Sequence, residues 1–189
     1  MLHCCLVLVE YSSQPGGVQQ LAAGLGAGAL PAVTLLCLNG MHVGDAGASA
    51  LAAALGQGAL PRLKTLDLTN TAIGDAGLVA LAPALRRGPA LEGLYLASNP
   101  FGDEGLAALV APPPAAGAPP PLTAGLAKLS GLNLNQTHVT DAGCATLVAA
   151  LNSGALPALK NLGMGGIPAR AVARARVLEA VAASRAVPT

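Results

Sequence analysis

An aspartate recurs four times in one local setting: Val43-Gly44-Asp45-Ala46-Gly47, Ile73-Gly74-Asp75-Ala76-Gly77, Phe101-Gly102-Asp103-Glu104-Gly105 and Val139-Thr140-Asp141-Ala142-Gly143. A ladder of carboxylates can hold calcium, and two histidines, His42 and His138, stand at equivalent places ahead of two of them. Neither grouping reads as a site. The glycine-rich nonapeptide of calcium solenoids is absent. Each aspartate stands where a helix begins, so each is expected to accept from the free amides of its own helix and to sit at the positive dipole end. His42 and His138 are two copies of the motif apart and lack a suitable carboxylate or cysteine neighbour, while His3 is remote from both. Surface positions account for them, and no catalytic residue is assigned.

Other reactive groups lead to the same place. Gly24-Leu25-Gly26-Ala27-Gly28 echoes a nucleotide-binding glycine run, but that fingerprint needs a strand before it and a helix after it. This run follows a helical stretch, which makes it a stop signal, and no GxxxxGK[ST] occurs. The four cysteines form neither a CxxC pair nor a Cys/His zinc spacing. Cys37 lies between Leu36 and Leu38, Cys144 sits early in a helix, and Cys4 and Cys5 are adjacent, which fits a reducing, cytoplasmic setting. No metal and no cofactor are expected.

The elements that carry these residues repeat. The first leucine of a Leu-x-Leu pair falls at Leu6, Leu36, Leu66, Leu94, Leu132 and Leu162, at steps of 30, 30, 28, 38 and 30 residues. The partners two residues on, Leu8, Leu38, Leu68, Leu96, Leu134 and Met164, are all apolar. The long step exceeds the short one by ten, the length of the run Pro112 to Pro121, PPPAAGAPPP. Proline lacks an amide hydrogen and fixes its backbone, so this run is read as a disordered, solvated insertion at 112–121. Alternating apolar positions such as Leu66 and Leu68 mark a short strand. Leucines four apart, Leu51 with Leu55, Leu81 with Leu85 and Leu147 with Leu151, mark one buried stripe of a helix. Glycines at Gly56, Gly88 and Gly154 fit a left-handed helix stop, and Leu30-Pro31, Leu60-Pro61 and Leu156-Pro157 turn the chain towards the next strand. A strand that recurs after a crossover helix pairs in parallel, giving one continuous sheet with the helices outside it.

The pattern Leu-x-x-Leu-x-Leu-x-x-(Asn/Thr)-x-(Ile/Val)-Gly-Asp-Ala-Gly resembles the leucine-rich repeat, specifically its ribonuclease-inhibitor-like subtype with a full helix per unit. The resemblance implies an α/β right-handed solenoid, a horseshoe of about six strands with a concave parallel sheet and convex helices. The family's ladder asparagine is kept at Asn99, replaced by a hydroxyl at Thr71 and Thr137, and lost at Tyr11, Met41 and Ile167, so looser coils are expected at both ends.

On such a sheet the residues beside the paired leucines face outward: Cys37, Asn39, Lys64, Asp67, Thr69, Glu92, Tyr95, Ser130, Asn133, Asn135, Lys160 and Asn161. Adjacent strands are about 4.8 Å apart, so Asp67, Tyr95 and Asn133 form a row that one partner can span. Lys64, Asp67, Thr69, Glu92, Tyr95, Asn133 and Asn135 are the candidate partner-binding residues. Tyrosine, with a large body and a polar tip, is a favoured hot-spot residue.

Composition agrees with a folded, stacked domain. Hydrophobic residues make up 53% and charged ones 10%, far from the disordered regime, while aromatics at 2% leave leucine, alanine and valine to build the core. At about 25 cal/mol per Å² a single such unit is too weak alone, so stability must come from stacking. The start, Met1 to Val9, has no basic leader, a short apolar run and leucines in repeat register, so it reads as a strand; its bare edge invites self-association or upstream repeats. A fragment of a longer array is the favoured reading of that edge. The array is assigned to residues 1–167. Residues 168–189 are assigned to a basic helix and tail, in which Arg170, Arg174, Arg176 and Arg185 against Glu179 give +3 of a total of +1. Without interleaved aromatics that helix is read as a solvated cap, so neither nucleic acid nor membrane is expected as a partner.

The function expected is that of a non-catalytic protein–protein interaction scaffold using the concave face. Two alternatives stand beside it. Ran-GTPase-activating proteins use the same repeat subtype, which suggests regulation of a small GTPase, although a rim set with an acidic tail is missing here. The other is a fragment of a larger repeat receptor with no activity of its own.

Overall fold

The computed structural model describes residues 5–7, 22, 24, 32–87, 91–110 and 126–186. Strand and helix alternate along it: β1 (Cys5–Val7), β2 (Leu35–Cys37), α1 (Gly44–Gly56), β3 (Thr65–Asp67), α2 (Asp75–Arg87), β4 (Gly93–Tyr95), α3 (Asp103–Val110), β5 (Gly131–Asn133), α4 (Asp141–Asn152), β6 (Asn161–Gly163) and α5 (Ala171–Ala186). The six strands form a single parallel sheet in sequence order. Its register stacks Leu6, Leu36, Leu66, Leu94, Leu132 and Leu162 against one another, and the shorter and longer steps do not shift it. The chain is thus a solenoid of stacked strand–turn–helix coils, as the repeat spacing implies.

The core lies between sheet and helices. Leu36, Leu38, Leu66, Leu68, Leu94 and Leu96 from the strand segments are fully buried, as are Leu51, Leu81, Leu85 and Leu106 from the helices. Each helix is packed against the next, and α5 packs against α4 through the buried Val177 and Val181. No coil encloses its own core, so each supplies the wall of its neighbour.

Asn99 shows how the coils are tied. It is buried, its Oδ1 accepts from Thr71 N at 3.1 Å, Ile73 N at 2.9 Å and Thr71 Oγ1 at 3.1 Å, and its Nδ2 donates to Leu68 O, Leu96 O and Ala97 O. One side chain therefore serves backbone groups of two successive turns. The hydroxyls of Thr71 and Thr137 reach the carbonyls of their own turns, Leu68 O and Leu134 O, and only that of Thr71 also meets Asn99 of the next coil. Met41 and Ile167 at the same place are buried and apolar.

The aspartates correct the first expectation. Asp45 Oδ1 accepts from Gly74 N at 2.7 Å and Gly77 N at 3.0 Å, and Asp75 Oδ1 from Gly102 N at 2.9 Å and Gly105 N at 2.7 Å. Asp103 accepts from Thr140 N and Thr140 Oγ1, and Asp141 from Arg170 N. Each carboxylate caps the helix of the next coil, not its own. The second glycine of Gly-Asp-Ala-Gly makes room for this: a Cβ at Gly77 would stand 2.5 Å from Asp45 Oδ1, and one at Gly105 2.9 Å from Asp75 Oδ1.

Two boundaries also move. The left-handed residue after α1 is Gly58, at φ +83, and not Gly56, whereas Gly154 is left-handed as expected at φ +77. Within the segment 168–189 the last helix spans Ala171–Ala186, because Pro168 and Ala169 still belong to the turn after β6. A recurrent left-handed position just before the ladder residue, Gly40, Asn70, Ser98, Gln136 and Gly166, was not anticipated. His3, Leu8, Tyr11, the run Leu25 to Gly28, Pro31, Gly88 and the insertion at 112–121 lie outside the described residues.

Candidate binding surface

The three-residue strands turn their middle leucine into the core and their first and third residues to the open wall. The middle row is set by pairing: Cys37 beside Asp67, Asp67 beside Tyr95, Tyr95 beside Asn133 and Asn133 beside Gly163. The row before it runs Thr65, Gly93, Gly131, Asn161. Two successive glycines there lower the floor, and the Tyr95 ring lies over it, with Tyr95 Cε2 3.3 Å from where a Cβ on Gly93 would be. Tyr95 itself is 38% exposed.

This lowered floor widens into a bay of about 730 Å³ between β4, β5, β6 and the terminal helix. Its polar lining includes Glu92, Tyr95, Ser130, Asn133, Asn135 and Asn161, and its end wall is Leu178, Val181 and Ala182 of α5. The structure thus brings four of the candidate residues, Glu92, Tyr95, Asn133 and Asn135, into one concavity. Lys64 joins them through an ion pair to Glu92 at 2.9 Å, both partners being about half exposed. Asp67 and Thr69 stand one strand away and do not line the bay. Their contact is mutual, Asp67 Oδ1 accepting from Thr69 N at 2.9 Å, and Cys37 Sγ approaches Asp67 Oδ2 at 3.9 Å.

The glycines of the floor and the apolar end wall escaped sequence reasoning. A glycine in a short strand signals a close approach or an opening equally well, and nothing in the local pattern of α5 tells which side of the sheet its last turns meet.

Chemistry elsewhere is sparse. Among the described residues no group of three His, Cys, Asp or Glu is placed to hold a metal ion, and no helix is long and apolar enough to cross a membrane. Cys37 is half-buried and Cys144 is buried, both as free thiols. Burial pushes the Cys144 thiol above its usual range, the nearby Asp141 and Asp103 add to this, and Arg174 opposes it. It is a packing residue of α4.

Residues 60–82 and 91–110 match the family described as Leucine Rich repeat. Together with the stacked strand–turn–helix coils, this match supports a leucine-rich repeat protein. Among solved structures it is similar to the Caenorhabditis elegans tropomodulin C-terminal domain, at 21% identity over 89% of this chain and 93% of that one, with a TM-score of 0.63. It is also similar to the leiomodin-1 actin-binding site 2, at 18% identity over 91% of each chain, with a TM-score of 0.65. No curated protein sequence matches it.

Proposed function

We propose that the chain is a non-catalytic protein-interaction scaffold that binds its partner on the concave wall, at Lys64, Asp67, Thr69, Glu92, Tyr95, Asn133 and Asn135. The observation that carries this reading is the exposed Tyr95 ring over the Gly93 floor, at the mouth of a polar bay. A parallel sheet is normally covered on both faces. Here one face is left to solvent, and it carries tyrosine, asparagine and a charge pair. Its cysteines and the lack of a membrane-spanning helix among the described residues fit an intracellular, cytoplasmic protein.

The test is capture of partners by the intact chain and by the triple variant Asp67→Ala, Tyr95→Ala, Asn133→Ala. Loss of a partner on substitution supports the reading, and retention of every partner removes it. The leiomodin-1 structure is titled an actin-binding site, which makes actin the first partner to try. Co-sedimentation with filamentous actin that the triple variant abolishes would assign it.

A further inference from the structure

The sheet ends at β6, and there its backbone runs out of partners. In each earlier coil the amide just past the strand donates to the coil that follows: Leu38 N to Asp67 O, Leu68 N to Tyr95 O, Leu96 N to Asn133 O and Leu134 N to Gly163 O. Met164 N is the next of this series and has no following coil to meet. Alternate residues of a parallel ladder turn to opposite neighbours. Asn161 N donates to Ser130 O and Gly163 O accepts from Leu134 N, so both residues face β5. Leu162 N and Leu162 O therefore point outward with Met164 N, and none of the three has a partner among the described residues.

The side chains beside this edge are apolar and uncovered. Leu36, Leu66 and Leu94 are 0% exposed and Leu132 2%, each closed over by the coil that follows, whereas Leu162 in the same row is partly exposed. Across the bay from it stand Leu178, Val181 and Ala182 of α5, and Leu178 is 52% exposed.

What the last coil lacks narrows what can cover it. Four residues after each ladder position comes the carboxylate that caps the following helix: Asp45, Asp75, Asp103 and Asp141. After Ile167 that place is Ala171. The last coil thus has no carboxylate to hold the helix of a further coil, or of a second copy, yet its backbone still offers two donors and an acceptor. An edge of that kind is a template for an extended chain.

We infer that β6 and α5 form a groove for an extended segment of a protein partner, which adds a parallel strand to the sheet and brings no helix. In the register of the existing pairs, Leu162 N donates to the carbonyl of the residue opposite Asn161. The residue opposite Gly163 donates its N–H to Leu162 O and accepts from Met164 N. Side chains alternate between the two faces, so the residue opposite Leu162 turns into the core and must be aliphatic. The residue opposite Asn161 turns to the open wall, where an aliphatic group reaches Leu178. The groove lies beside the concave row and does not rest on it.

The experiment is a titration of the whole isotope-labelled chain, followed by the backbone amide resonances of Leu162 and Met164. The probe is an N-acetylated, C-amidated hexapeptide of lysine, valine, leucine, threonine, leucine and threonine, which sets valine opposite Asn161 and the first leucine opposite Leu162. Its control carries a methyl on the nitrogen of the first threonine, the donor to Leu162 O. Both amide signals are expected to shift saturably and to gain protection from hydrogen exchange. The methylated control should bind roughly tenfold more weakly, as fits one lost backbone bond. Leu178→Lys, at an exposed helix position, should also weaken binding roughly tenfold, and Val79→Lys on α2 should leave it unchanged. Equal affinity for both peptides, no saturable shift at Leu162 and Met164, or undiminished binding by Leu178→Lys would overturn the inference. So would shifts at Leu162 and Met164 that follow chain concentration before peptide is added, which would make a second copy the occupant. The two readings fail separately: a peptide that moves neither edge amide removes this one, and retention of every partner by the triple alanine variant removes the concave one.

Discussion

Asp75→Ala removes the carboxylate that joins α2 to α3, and the structure sets how much that should cost. Asp75 Oδ1 accepts two backbone bonds, from Gly102 N at 2.9 Å and Gly105 N at 2.7 Å, at the start of a helix to which it does not belong. Two hydrogen bonds to a charged group have a gross range of about 3–6 kcal/mol, but Asp75 is only partly buried and water can replace part of them. Loss of an N-cap side chain costs about 0.5–2 kcal/mol and loss of the dipole contact about 0.3–1. The expected destabilisation is about 2 kcal/mol, which moves a urea midpoint by about 1 M. Asp141→Ala, which loses one bond to Arg170 N and an exposed pair at 3.6 Å, should cost about 1 kcal/mol. Amide hydrogen exchange locates the loss. Gly102 and Gly105 should lose protection before Ala76 and Gly77 do, and selective loss at Ala76 and Gly77 would refute capping of the next coil.

Further outcomes follow from the same contacts. Gly105→Ala ordinarily gains about 1 kcal/mol of helix propensity, but here it should destabilise, because its Cβ would meet Asp75 Oδ1 at 2.9 Å and Leu78 Cβ at 3.2 Å. The loss should shrink in the Asp75→Ala background, as a double-mutant cycle by urea denaturation will report. Asn99→Ala leaves buried Thr71 N, Ile73 N and Leu96 O without the Asn99 side chain they bond and should cost about 3–4 kcal/mol in the same assay. Ala72→Gly relieves a left-handed residue at φ +58 on the surface and should stabilise by about 0.5 kcal/mol, the strain relieved exceeding the extra freedom of the unfolded chain. In peptide-mapped alkylation at pH 8, Cys37 should react well before Cys144, whose thiol is buried and raised in pKa.

Much of this architecture is legible in the sequence because the apolar spacing leaves one solution. Leucines at Leu36, Leu66, Leu94 and Leu132 can be buried together only if successive strands stack in that register, and they do. The four-apart leucines of α1, α2 and α4 likewise have only the sheet to face. What the pattern leaves open is which coil a side chain serves. An aspartate at a helix start reads alike whether it reaches the amides of its own first turn or those of the next coil, about one strand spacing away. The second glycine of each motif carried the decisive clue, since only a group arriving from outside the helix needs that opening. The recurrent left-handed turn was hidden because Gly40, Asn70, Ser98, Gln136 and Gly166 share a backbone angle and no side-chain type. The candidate wall was legible residue by residue, whereas its bay depends on Leu178 and Val181, more than forty positions after Asn133 and Asn135 respectively.

The claim that this fold works through its inner wall is most directly tested by site-specific photo-crosslinking. Tyr95 on the sheet and Val79 on α2 are matched in exposure, at 38% and 39%, and lie on opposite faces. A benzophenone side chain placed at one or the other position of the intact chain samples the two faces equally. The account expects the captured partner to crosslink from position 95 and not from position 79. Crosslinking from 79 with equal or greater yield would contradict it.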